Sequence, residues 1–188
     1  MFDRTLAKEF LFRLDDALNS VGLPHFLVGG TALGAWRDHD FTPTERDIDI
    51  GVLLSLPKMV EYAAVALLRS GIEVTTWDRH MANGLPHTVV AQWRGLHADI
   101  VGWRQSPDGR MFAQAPSNVE PHYCIVHEPQ IIKAWKRVEM FGRFFNVSSD
   151  IEMYLECEYG PDWRTPKDDH VSRTRVYNFL QGVPADER

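Results

Sequence analysis

Phe2, Leu6, Phe10, Leu14, Ala17, Leu18 and Val21 recur at intervals of three and four, with Arg4, Lys8, Asp15 and Asn19 elsewhere on the wheel. The spacing predicts an amphipathic helix that stops at Gly22-Leu23-Pro24, because Gly suits a C-terminal cap and Pro cannot continue the helix. His25-Phe26-Leu27-Val28 then reads as a short buried strand ending at Gly29-Gly30, and Thr31 to about Arg37 resumes helical spacing. After a polar loop, Asp47-Ile48-Asp49-Ile50-Gly51-Val52 begins with acidic side chains at odd positions and apolar ones at even positions. That is the period of a half-buried strand. Ser55 caps a further helix, with Pro57 in its first turn, that runs through Met59, Val60, Ala63, Ala64, Leu67 and Leu68 to Gly71.

Ile72 to Trp77 is strand-like, and Thr88 to Trp93 pairs with Leu96 to Trp103 as a hairpin around Arg94-Gly95. With that two-residue loop, Asp99 stands opposite Val90 and shares a face with His97. Residues 106–118 read as loop or edge strand, and Tyr123 to Val126 as a strand. Arg137 to Met140 and Arg143 to Val147 flank a turn at Phe141-Gly142. Ser149 with Glu152 forms a capping box for a helix from Asp150 to about Glu158, stopped by Gly160-Pro161. The remainder of the chain is polar and Pro-interrupted, a tail from about 167. Strands alternating with helices and then a hairpin predict an α+β fold: a mixed sheet flanked by helices, with a C-terminal hairpin and helix, as a single domain over 1–188.

Composition narrows the partners. Hydrophobic residues make up 44% and charged residues 24% of the 188, the mix of an ordinary globular protein. Twenty Lys and Arg against 26 Asp and Glu give a net charge of -6, the reverse of a nucleic-acid-binding footprint. Nucleic acid is therefore not an expected partner. Cys124 and Cys157 form no Cys-x-x-Cys, and the histidines no His-Glu-x-x-His, so no zinc site is read. No apolar run reaches the ~20 residues of a membrane span. The start MFDRTLAKEF is charged where a signal peptide is apolar, so a cytoplasmic location is expected.

The chemistry concentrates in Gly29-Gly30-Thr31, then Asp47 and Asp49, then Asp99. Residues two apart on a strand point the same way, so Asp47 and Asp49 share a face, with Glu45 on the same parity and Arg46 on the opposite one. Like charges at ~4 Å repel by about 4 kcal/mol at an effective dielectric of 20, so the acidic face calls for a cation. Mg2+, with Mn2+ as the substitute, suits a pair of carboxylates and substrate phosphates. Asp99 would bridge the metal and an attacking hydroxyl, or take its proton. Gly29-Gly30 would bring backbone N–H groups and a helix N-terminus to phosphate, with Arg37 as a phosphate contact. Gly29 to Gly34 has the glycine spacing of a P-loop, but Ala35-Trp36 replaces its Lys and Ser/Thr.

The run Phe26-Leu27-Val28-Gly29-Gly30-Thr31-Ala32-Leu33-Gly34-Ala35-Trp36-Arg37, then Phe41, Pro43 and Asp47-Ile48-Asp49-Ile50, resembles the signature of the LicD family, which includes the fukutin-related proteins. A second stretch is similar to the family's closing segment: Gly142, Phe145 and Val147, then Asp150, Glu152, Tyr154 and Leu155, then Tyr159-Gly160-Pro161-Asp162-Trp163 and Thr165-Pro166. Thr44-Glu45-Arg46 departs from the aromatic and two Asp usual there, and Arg46 reverses a charge.

The resemblance implies a polymerase-β-like nucleotidyltransferase fold. It implies a metal-dependent transferase moving phosphocholine or a polyol phosphate from a CDP-activated donor to a glycan hydroxyl. Asp47, Asp49 and Asp99 would be the catalytic and metal carboxylates, and Gly29, Gly30, Thr31 and Arg37 the substrate-binding residues. Two other readings stand beside it. One is a nucleotidyltransferase moving an NMP from an NTP to a small-molecule or protein hydroxyl; the other is a nucleotide-binding protein without turnover. Oligomeric state is not legible.

Overall fold

A computed structural model describes residues 2–53, 59–78, 88–105, 111–114, 123–127, 134–166, 176–178 and 183–184. Helix α1 (Arg4–Ser20) starts where Asp3 caps it: Asp3 Oδ1 accepts from the Thr5 and Leu6 amides at 3.0 Å each. Its apolar stripe, Phe10, Leu11, Leu14 and Leu18, is fully buried. The predicted stop holds, with Gly22 in the left-handed region at φ +64°. Strand β1 (His25–Leu27) follows, and α2 (Gly29–Arg37) opens at Gly29, two residues before its helical spacing begins.

Strand β2 (Ile48–Leu53) pairs antiparallel with β1. Helix α3 (Met59–Arg69) buries Val60, Ala63, Ala64 and Leu67; the predicted Ser55 cap and Pro57 lie outside the described residues. Next come β3 (Glu73–Asp78), β4 (Thr88–Trp93) and β5 (Leu96–Gln105). The loop between β4 and β5 is Arg94-Gly95, at φ +48° and +81°, the mirror-image turn whose twist matches a two-residue hairpin. β5 runs antiparallel to β4 and parallel to β2, which makes the sheet mixed.

The far end of β5 pairs with β6 (Met111–Gln114), which pairs with β7 (Tyr123–His127). β8 (Trp135–Met140) and β9 (Arg143–Ser148) form a separate hairpin closed by Phe141-Gly142, at φ +59° and +79°. Helix α4 (Ile151–Tyr159) comes next. Within the polar tail, β10 (Val176–Asn178) and β11 (Val183–Pro184) extend the sheet, β10 pairing with β7. The main sheet runs β1-β2-β5-β6-β7-β10-β11, with β3 and β4 branching beside β5.

The capping box also needs a correction. Asp150, not Ser149, is the α4 N-cap, its side chain makes no capping bond, and Ser148 Oγ accepts the Asp150 amide at 3.1 Å. One core holds the parts together: Ile48, Ile50 and Val52 of β2, Val89 and Ala91 of β4 and Ala98 and Ile100 of β5 pack with α1, α2 and α3. The β8–β9 hairpin joins this core through Val138, Met140, Phe145 and Val147. Trp135 stacks on Phe26 with centroids 5.5 Å apart. Among the described residues no helix is long and apolar enough to cross a membrane.

Candidate functional site

Alternation along β2 decides which side chains face the site. Ile48, Ile50 and Val52 are buried, so Asp47 and Asp49 project from the other face, both half-buried. β5 sets Asp99 level with Asp49 in the parallel ladder. Paired positions of neighbouring strands share a face, and Asp99 therefore stands beside the Asp47–Asp49 pair. β4 places Val90 opposite Asp99, the register predicted from the Arg94-Gly95 turn. His97 is exposed on the same strand, where Gln92 Nε2 lies 3.1 Å from its Nδ1.

The glycine turn fits against these acids. Gly29 sits at φ +53°, and a Cβ there would lie 2.5 Å from Asp49 Oδ2. A Cβ on Gly30 would lie 2.7 Å from both carboxylate oxygens of Glu45. Two carboxylates thus rest directly on bare backbone, which only glycine permits. The amides expected to face phosphate have protein acceptors: Gly29 N–H donates to the Tyr154 hydroxyl at 2.8 Å and Gly30 N–H to Asp49 Oδ2 at 3.1 Å. Thr31 is buried, and its Oγ1 accepts the Asp49 amide at 2.9 Å. The side chain thereby pins the acidic strand to α2.

Glu45, Asp47 and Asp49 each offer an oxygen, all within 4.8 Å of one another. Glu45 is therefore the third member of the tight group, and Asp99, one strand over, is outside it. Burial, with Asp47 adding to it, pushes Glu45 up to about 7. Burial also drives Asp49 well above the usual carboxylate range, reinforced by Asp47, Glu45 and Asp99 and opposed by the Gly30 amide. Asp99 is raised by burial and then by Asp47, with His97 opposing.

Among the described residues no Lys or Arg pairs with any of these four acids. Arg46 is exposed, on the opposite parity. Glu45 Oε2 is buried with no hydrogen-bond partner among the described residues. Hard oxygen donors crowded together without a cation suit Mg2+ or a similar divalent ion, so the residues present fit the expected metal. A cavity of about 570 Å³ opens alongside, with Glu45, Thr42, Arg46, Phe2 and Leu96 among the residues that line it.

Arg37 is carried to the opposite end of α2 from the glycine turn. Its Nε and Nη2 donate to the Asp38 carboxylate at 2.9 and 2.7 Å, and its Nη1 to the Trp163 carbonyl at 3.2 Å. The structure does not bring it to the acids. Residue patterns also missed the part α4 plays at the site: Tyr154 and Glu158 are buried, and Tyr159 feels Asp49, Glu45 and Asp47 strongly enough that they add to the burial raising its phenol. Glu45 had a sequence signal, its parity with Asp47, whereas no local pattern ties Tyr154 to a turn 125 residues away.

The LicD/FKTN/FKRP nucleotidyltransferase-domain model matches residues 22–147. The ribitol-5-phosphate transferase FKTN of Macaca fascicularis is 24% identical over 168 residues, and that of Homo sapiens 23%. Each alignment covers 87% of this chain and 34% of the relative, so the chain spans about a third of the length of the curated relatives it matches. Among solved structures, the antibiotic-resistance factor ANT(2'')-Ia in solution superposes with TM-score 0.53 at 15% identity, over 78% of this chain and 67% of that one. The lincomycin-bound lincosamide antibiotic adenylyltransferase LnuA gives TM-score 0.52 at 17% identity, over 78% and 82%. At these identities the likeness establishes the fold, a nucleotidyltransferase one. The glycine turn, the acidic strand and Asp99 all fall within the matched span, and the chain belongs to the LicD/FKTN/FKRP nucleotidyltransferase-domain family.

Proposed function

We propose that this chain moves a phosphorylated alcohol, phosphocholine or a polyol phosphate, from a CDP-activated donor to a glycan hydroxyl, using Mg2+ or Mn2+. The observation that carries the reading is that Asp49 on β2 stands level with Asp99 on the parallel strand β5, with Asp47 just before β2, beside the Gly29-Gly30 turn and with no protein cation paired to them among the described residues. Family membership supports a transferase, and the name of the FKTN relatives supports a polyol phosphate as the group moved.

Asp47 and Asp49 would hold the metal, with Glu45 or Asp99 as the third ligand. When bound, such an ion offsets negative charge on the donor phosphates and on the phosphoryl group in transfer. The chain's own residues do the rest. Asp99 accepts the proton of the acceptor hydroxyl at a carboxylate oxygen, and its raised pKa brings it toward the range where a base works well. The hydroxyl oxygen bonds to the phosphorus that carries the alcohol while the bond from that phosphorus to the bridging oxygen breaks, releasing CMP. The α2 N-terminus supplies positive partial charge beside the phosphates. Arg37, committed to Asp38 and Trp163, serves in this reading to fix the end of α2.

Calorimetry against CTP, CDP-choline, CDP-ribitol, ATP and UTP, with and without Mg2+, tests the proposal. A metal-dependent preference for a CDP-alcohol is expected. An NTP preference instead points to NMP transfer, with attack at the α-phosphorus and loss of pyrophosphate. Asp47→Asn and Asp49→Asn should abolish metal-dependent binding while remaining folded, and Asp99→Asn should cost turnover more than donor affinity. Unchanged binding in both of the first two variants would refute the metal assignment.

A further inference from the structure

The Gly29 amide opens α2 and reaches across the fold for its acceptor, the hydroxyl of Tyr154 on α4, at 2.8 Å. Tyr154 is 3% exposed, and Ile151 and Leu155 anchor α4 in the core around it. A backbone donor held by a buried phenol cannot turn away without becoming an orphan. The next amide, Gly30, donates to Asp49 Oδ2 at 3.1 Å, and the Gly29 backbone faces that same oxygen so closely that no Cβ fits between them. Thr31 Oγ1 holds the Asp49 amide from the first turn of the same helix. A continuous chain of contacts thus runs from α4 to the acidic face: Tyr154 hydroxyl, Gly29 amide, Gly30 amide, Asp49 carboxylate.

We propose that Tyr154 is a positioning residue, which fixes the Asp49 carboxylate through the Gly29-Gly30 turn. Its hydroxyl holds the first amide of the turn, and its effect reaches Asp49 through the second. The proposal rests on the metal reading of Asp47 and Asp49, and two measurements keep the two ideas separable. The first is Mn2+ affinity, read by paramagnetic resonance titration of the whole chain, well below the unfolding temperature of every variant. Tyr154→Phe should weaken Mn2+ binding about tenfold or more, the usual effect of losing a partner behind a metal ligand. Leu67→Ala is the control, fully buried on α3, which packs on α1, β3 and β4. It should lower the unfolding temperature and leave Mn2+ affinity as in the wild type.

The second measurement is amide hydrogen exchange at Gly29 and Gly30 by NMR, which needs no metal. In Tyr154→Phe both amides should lose protection beyond any global change, because the second is held only as long as the first keeps the turn in place. Wild-type Mn2+ affinity in Tyr154→Phe overturns the proposal. So does release of Gly29 alone with Gly30 still protected. If the wild type binds no Mn2+, the metal reading fails by itself, and the Gly30 exchange rate still decides whether Tyr154 governs the turn.

Discussion

One methyl group distinguishes the two glycines of the turn. Gly29→Ala places an L residue at φ +53° and a Cβ 2.5 Å from Asp49 Oδ2. The backbone alone costs about 1–2 kcal/mol, and Asp49 must also move aside. Urea denaturation should show at least that loss, and Mn2+ affinity should fall about tenfold or more. Gly30→Ala should be milder on both counts, since the atoms it meets are the rotatable carboxylate end of Glu45. Equal Mn2+ binding by Gly29→Ala and wild type would show that close packing of Asp49 on the turn does not matter. The acids themselves were legible because their placement follows from counting: alternation along β2, and a two-residue loop that fixes the register of Asp99. The glycines were legible as a turn but not in what packs against them. Their neighbours, Asp49 and Glu45, are known only once β2 and the preceding loop are folded against α2.

At the level of elements, a small polar cluster ties α1, β1 and the β8–β9 hairpin together beside their shared core. Asp15 of α1 lies 2.9 Å from His25 Nε2 and 3.2 Å from Arg143 Nη1, and Asn146 Nδ2 donates to the His25 carbonyl at 3.0 Å. Arg143 also reaches Asp16 at 2.9 Å and covers the Phe12 ring. Asp15→Ala should cost about 1–3 kcal/mol, because it leaves the Nε2 of buried His25 without its partner, while Arg143 keeps Asp16. Arg143→Ala, a third exposed, should cost about 1 kcal/mol. The double variant should lose less than the sum of the singles, by an amount a double-mutant cycle in urea reads directly. Strict additivity would mean that Asp15 and Arg143 are not energetically coupled. Both hairpin turns could be predicted because an X-Gly loop between apolar runs is a local rule. The strands β10 and β11 could not: β10 takes its backbone pairs from β7, some 50 residues earlier, and β11 in turn pairs with β10. The Ser149 capping box matched a sequence pattern, yet the structure places Asp150 at the α4 N-cap.

For the molecule as a whole, the acidic face makes stability depend on pH in the direction opposite to that of most carboxylates. Glu45 titrates near 7 in the fold against an ordinary value of 4.5, so between those values the folded state holds a proton that the unfolded chain has released. Stability must then decline as pH rises through that window. The loss is on the order of 3 kcal/mol from Glu45. Asp49 and Asp99, both raised, act in the same direction. A divalent ion opposes the trend, because it binds the deprotonated carboxylates and competes with protons for them. Urea midpoints at pH 5, 6, 7 and 8 in EDTA should therefore fall steadily up to about 7. In excess Mg2+ the same series should be flatter, with the two curves diverging most at the alkaline end. Glu45→Gln keeps the side chain's size and removes the titration, so its EDTA series should lose most of the slope. A wild-type series in EDTA that rises from pH 5 to 7 would mean that the acids do not share a desolvated face, and the reason for a metal there would disappear with it.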